Sequence, residues 1–200
     1  VTTINPTEEQ MQKRVVRWQT IRPKQSRFEQ NAGIPPEAVA TIAAKSLYLY
    51  MGPEGLSGSN QSPGIAGADG LVVNIAKCPA GQGPELHSHA RTIETFMTLR
   101  GCFEITWGDG GDHMVRLEEF DMISVPPRVM RAFRNCGTED ALLLVLIQGA
   151  NQDLSSDVQY QPALGEKLAS EFGDEVRHKI EGMGWRFDAE LAQGRTRAEA

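Results

Sequence analysis

The chain has 200 residues, enough for one domain with a sizeable core. Its 40% hydrophobic and 23% charged residues match a soluble globular protein, and a net charge of −6 offers no basic face to nucleic acid or an anionic membrane. The longest apolar run, Ala141 to Ile147, is too short to span a bilayer.

Cys78, Cys102 and Cys136 are odd in number and form no C-x-x-C pair, which fits reduced thiols in a cytoplasmic protein. The N-terminal VTTINPTEEQMQKR is polar and has no signal-peptide core. Thr7 to Gln10 resembles a helix start, and the segment to Trp18 predicts a short amphipathic helix. Pro35-Pro36-Glu37 followed by AVATIAAK predicts a second helix, with proline in the first turn and an early acid. Ser46 to Met51 reads as a strand. It can add to a neighbouring subunit's sheet or cover its own barrel. Gly52 to Gly70 is rich in Gly, Ser and Pro and reads as a long mobile loop, a connector or a lid.

From Leu71 to Gly149, short strand-like runs alternate with turn signals. They include LVVNIAKC, TIETFMTL, CFEITWG, HMVRLEEF, MISVPP, MRAFRN and ALLLVLIQ. That rhythm predicts an all-β sandwich or barrel. A helical pattern returns over 163–187, with a stop at Gly182.

The most informative stretch is GQGPELHSHARTIETFMTLRG, from Gly81 to Gly101. On a strand, His87 and His89 point to one face, and a turn at Ala90 to Thr92 lets Glu94 join them. Two imidazoles and a carboxylate with open positions left over suit Fe(II), and also Mn, Ni or Zn. Strand parity places Phe96 and Thr98 on the face of Glu94, and Phe133 and Asn135 on the face of Arg131. Phe96, Thr98, Arg131 and Phe133 are the candidate substrate-binding residues, although core packing is the plainer role for either phenylalanine. His113 and His178 read as surface residues, and Cys102 and Cys136 as small core residues. The Gly81-x-Gly83 pair precedes no helix and is no dinucleotide fingerprint.

The spacing Gly81, His87-x-His89, Glu94, Gly101 resembles the first signature of the cupin superfamily, with every named position filled. The second signature is partly kept. Asp121, Pro126 and Asn135 agree, whereas Phe120 and Arg128 stand where the pattern has glycine and Arg131 where it has histidine. The resemblance covers roughly residues 70–150. It implies a mainly β fold, a cupin-type antiparallel β-barrel (jelly roll) over 71–150. An N-terminal helical and strand extension over 1–70 and a C-terminal helical segment over 151–200 flank it. It also implies one divalent metal on His87, His89 and Glu94, a small-molecule substrate and a homodimer.

Arg131 cannot ligate a metal, and two readings of it stay open. In one, the site is a three-ligand set and Arg131 is a catalytic residue holding an anionic or enolate oxygen. In the other, Arg131 pairs with Glu94 and replaces the ion. The expected function is a metal-dependent enzyme, first an Fe(II) dioxygenase acting on a small enol, β-dicarbonyl or hydroxylated aromatic. The alternatives are a metal-dependent isomerase or lyase, and a barrel that binds a small anion without catalysis.

Overall fold

The computed structural model describes residues 1–23, 33–44, 46–56 and 63–192. Among the described residues two short helices come first, α1 (Glu8–Gln12) and α2 (Pro36–Ile42). Eleven strands follow among the described residues: β1 (Ser46–Gly52), β2 (Ile65–Ala66), β3 (Leu71–Cys78), β4 (His87–His89), β5 (Ile93–Arg100), β6 (Phe103–Trp107), β7 (His113–Leu117), β8 (Met122–Val125), β9 (Arg131–Asn135), β10 (Ala141–Gln148) and β11 (Val158–Tyr160). Helices α3 (Pro162–Phe172) and α4 (Asp174–Gly182) close the chain.

The strands form two sheets packed face to face. One has the order β2-β1-β3-β10-β5-β8 and the other β11-β4-β9-β6-β7. All pairings are antiparallel except the short β1–β2 pair. This is the expected jelly roll, and its interior follows from strand parity. β3 and β10 alternate strictly between half-buried and buried over most of their length, burying Ala76, Cys78, Leu143 and Val145. Phe96, Phe103, Ile105 and Phe133 meet them from the remaining strands. The ring of Phe133 packs edge-on against both Phe96 and Phe103, at 5.3 and 6.1 Å.

The sheets extend past 71–150 in both directions. β1 is hydrogen-bonded to β3 along its length, so Ser46–Gly52 covers its own barrel rather than awaiting a neighbour. β11 borders β4. Within the expected loop over 52–70, Ile65–Ala66 forms β2, and 57–62 lies outside the described residues. α1 is shorter than expected and buries nothing, held by a capping box between Thr7 and Gln10. The C-terminal helical stretch is broken at Gly173 into α3 and α4. α2, α3 and α4 share a second apolar core, in which Ile34, Val39 and Ile42 meet Tyr160, Leu168, Ile180 and Phe187. The two extensions therefore pack against each other and against β11.

Glycine is required where the chain turns or crowds. Gly101 has φ 84 between β5 and β6, and a Cβ on Gly83 would sit 1.7 Å from the Phe133 carbonyl oxygen. The Gly81-x-Gly83 pair thus serves close backbone packing. Phe120 and Arg128, which stand where the cupin pattern has glycine, keep the left-handed backbone, with φ 72 and 63. Phe120 is trapped there because its N–H donates to Thr98 O (2.7 Å) while Asp121 N donates to Glu118 O (3.0 Å). Left-handed backbone costs a residue with a Cβ roughly 1–2 kcal/mol, and Phe120 is 67% exposed, so little packing offsets that cost. Phe120→Gly is expected to stabilise the fold by about 1 kcal/mol in a denaturant melt. An unchanged or lowered midpoint would show that the side chain contributes something the monomer does not display.

Candidate metal centre

The site is assembled from both sheets. β4 supplies His87 and His89, and its neighbour β9 supplies Arg131, paired in register with His87. The chain then crosses to the other sheet, where Glu94 lies on β5 between Val125 of β8 and Ile147 of β10. The ligand atoms of His87, His89 and Glu94 all lie within 4.8 Å of one another, and all three residues are buried. The imidazole Nε2 atoms of His87 and His89 stand 3.9 and 3.7 Å from Glu94 Oε2.

Neighbouring groups prepare the two imidazoles. His87 Nδ1 donates to the Glu85 carbonyl oxygen at 2.8 Å, which leaves the Nε2 lone pair free. His89 Nδ1 meets Thr92 Oγ1 at 2.8 Å, and with that hydroxyl accepting, Nε2 is free there too. Burial, then the charge of Arg131, holds His87 down to about 3 and His89 well below the ordinary histidine value. Both rings are therefore neutral near pH 7, and their approach to Glu94 is not an ion pair.

Arg131 is fully buried. Its Nε donates to Glu94 Oε2 at 3.0 Å and its Nη1 to Val129 O at 3.2 Å. Nη2 also lies 3.0 Å from Glu94 Oε2, but off the hydrogen-bonding direction, so that arm of the fork has no acceptor. Burial raises the Glu94 carboxyl and lowers the Arg131 guanidinium, and their mutual attraction opposes both shifts.

The donor set fits a divalent transition ion: two neutral imidazoles with free lone pairs and one carboxylate, converging in a buried place. Arg131 competes for the carboxylate. A unit charge 3.0 Å away gains roughly 5 kcal/mol at an effective dielectric of 20, before desolvation. A divalent ion at ordinary ligand distance gains roughly three times that, also before desolvation, so direct attraction favours the ion over Arg131 at Glu94.

The triad borders a cavity of about 100 Å³. Its walls are mostly aliphatic, including Leu47, Leu49, Val72, Val145 and Ile147, with Phe133, Tyr160 and Trp185. Of the expected substrate residues, Phe133 is on this wall. Phe96, Thr98 and Arg131 are not on it, and the two β5 residues are not assigned a binding role. Each two-residue step along β5 moves about 7 Å away from Glu94, so Phe96 packs beneath Phe133 and Thr98 Oγ1 donates to Leu117 O at 3.5 Å. Asn135 ties backbones together, donating from Nδ2 to Cys78 O and Glu139 O at 2.8 and 2.7 Å.

His113 is exposed and stacks on Trp107, and His178 is exposed on α4. All three cysteines are free thiols, and burial pushes Cys78 up to about 12. Sequence reading missed Tyr160, Asp157 and Asn74. The Tyr160 ring lies 5.6 Å from His87, and its hydroxyl donates to the Ile42 carbonyl, fastening the second core to the site. Val158–Tyr160 is too short to announce itself as a strand.

A family model described as a cupin domain matches residues 74–147. No curated protein sequence matches the chain significantly. Among solved structures, the chain is similar to a cupin domain from Schizosaccharomyces pombe, at 17% identity and a TM-score of 0.41, covering 53% of this chain and 66% of that one. It is similar to an uncharacterised Klebsiella pneumoniae protein with a double-stranded β-helix domain (21% identity, TM-score 0.38, 42% and 71% covered). A third is a sugar phosphate isomerase of the cupin superfamily from Silicibacter pomeroyi (23% identity, TM-score 0.36, 41% and 52% covered). The chain thus spans 66% of the first of these and 52% of the last.

Proposed function

We propose that this chain, which matches a cupin-domain model over residues 74–147, is a metal-dependent enzyme whose single divalent transition ion is held by His87, His89 and Glu94. Iron(II) is the first choice of ion, with Mn, Ni or Zn as alternatives, and the reaction is dioxygenation of a small enol or β-dicarbonyl. The observation that carries the metal reading is the convergence of two neutral, lone-pair-ready imidazoles and a carboxylate in one buried place. When bound, such an ion polarises a substrate oxygen and, as iron(II), makes oxygen chemistry accessible.

The protein's own residues do the rest. Arg131 steadies Glu94 through Nε, and its buried positive charge favours an anionic or enolate oxygen in the cavity. The aliphatic wall with Phe133 and Tyr160 excludes water and strengthens each polar contact. The cavity of about 100 Å³ is smaller than the ~150 Å³ that accommodates benzene, which favours a small enol or dicarbonyl over a hydroxylated aromatic.

A second reading rests on the Glu94–Arg131 pair itself: a barrel that binds a small anion, with the guanidinium in place of the ion. Elemental analysis of protein purified without chelator separates the two. About one equivalent of transition metal per chain is the expected result, and no metal after anaerobic Fe(II) loading would sink the enzyme reading. Turnover coupled to oxygen uptake supports the dioxygenase, whereas undiminished turnover in anaerobic buffer identifies an isomerase or lyase.

A further inference from the structure

The cavity has polar groups that the metal reading leaves unused. Asp157 is 4% exposed and lines the same cavity as His87, His89 and Glu94. Its Oδ2 accepts from the backbone N–H groups of Arg91 and Thr92, at 2.8 and 2.7 Å. Those two bonds fix the carboxylate plane. Among the described residues Oδ1 is buried with no hydrogen-bond partner, and the nearest cation, Arg91 Nη2, is 3.9 Å away and engaged with Asp153 Oδ1 at 2.6 Å. Asn74 on β3 is 3% exposed and lines the cavity as well, with no hydrogen bond from its side chain among the described residues. A buried acceptor left unmade costs about 1–3 kcal/mol, and more when charged, so an orphaned carboxylate oxygen on a cavity-lining residue is a binding feature until filled.

We infer that Asp157 Oδ1, supported by the Asn74 amide, recognises a hydroxyl or amino hydrogen-bond donor on the substrate, so the pocket takes small acids that carry such a donor. The inference rests on the metal reading for the partner of the substrate's anionic oxygens. Asp157 supplies what that reading lacks, an acceptor of fixed orientation. The size of the cavity limits the ligand to about six non-hydrogen atoms or fewer by comparison with benzene. A site built to bond a donor rejects the analogue without it, because the buried carboxylate then stays unpaired.

The test uses the full chain loaded with Mn(II), with propionate, 3-hydroxypropionate and β-alanine as probes in calorimetric titration. The wild type is expected to bind at least one donor-bearing probe about 10- to 100-fold more tightly than propionate, as a hydrogen bond to a charged acceptor allows. Which probe gains identifies the hydroxyl or the amino donor. Asp157→Asn keeps an oxygen for the Arg91 and Thr92 amides and replaces the free acceptor with an NH₂ donor. It is expected to abolish the preference while leaving metal content unchanged and binding propionate no more weakly than the wild type, since a like charge is removed. If that variant fails to fold, Asn74→Leu is expected to weaken the donor-bearing probe selectively. No preference in the wild type, or a preference that survives Asp157→Asn, overturns the inference even with metal bound. Elemental analysis reports separately on the metal. If none binds, the same titration reads the Asp157 preference in the metal-free cavity, where the buried Arg131 charge attracts the probe's carboxylate.

Discussion

Glu94→Ala is expected to destabilise the metal-free protein by about 3–5 kcal/mol and to reduce bound metal to trace levels. The stability loss arises because Arg131, fully buried, is left without its carboxylate partner at 3.0 Å. An uncompensated buried cation costs far more than the pair ever contributed. Glu94→Ala combined with Arg131→Met removes both charges, and its stability is expected to return to within about 1–2 kcal/mol of wild type, still without metal. Arg131→Met alone separates the two readings of this residue. It leaves Glu94 buried beside two neutral imidazoles, so the metal-free protein loses stability. A divalent ion then has no competing cation, and metal is expected to bind at least about tenfold more tightly and to restore the fold. Denaturant melts with and without Mn(II), beside metal titrations, read all three variants. Equal metal affinity in wild type and Arg131→Met would refute the competition.

Metal-free protein is expected to lose stability steeply as pH falls from about 6.5 towards about 3. The folded state holds His87 down to about 3 and His89 well below its ordinary value, whereas both histidines protonate near 6.5 once unfolded. Between those limits the unfolded chain binds more protons, so stability rises with pH and is lost as pH falls. Each histidine contributes a slope of at most about 1.4 kcal/mol per pH unit. Glu94 runs the other way. Its carboxyl is raised by burial, so the folded state takes up that proton more readily, and acid favours it through this one group. Two histidines outweigh one carboxyl, and a net acid loss remains. Urea midpoints of chelator-treated protein at half-unit steps from pH 7.5 to 4.5 measure the slope. His87→Gln is expected to reduce it by up to about 1.4 kcal/mol per unit, and identical slopes in both proteins would contradict a buried neutral His87.

Much of the barrel was legible because period-two burial is written directly into β3 and β10, and because turn residues punctuate the strands between them. The convergence of His87, His89 and Glu94 was legible for the same reason. Two residues apart on a strand share a face, and Gly101 marks the turn that ends the following strand. Parity also named Phe133 and Arg131 as inward-facing, and both are buried.

Parity says nothing of depth, and depth removed Phe96 and Thr98 from the cavity wall. Nor does local pattern reveal which distant segments meet. Asn74, Asp157 and Tyr160 reach the site from β3, the segment before β11, and β11 itself. The segment that orients Asp157 lies 65 residues away from it in sequence. The sequence by itself determined the strand faces, the candidate ligand types and the cation at position 131, since these depend on chemistry and on neighbours along the chain. Only the tertiary structure decided that Arg131 grips Glu94, that both terminal extensions share a core behind His87, and that Asp157 keeps one oxygen unpaired. Those are outcomes of burial and long-range packing, where a group's partners are set by the whole fold.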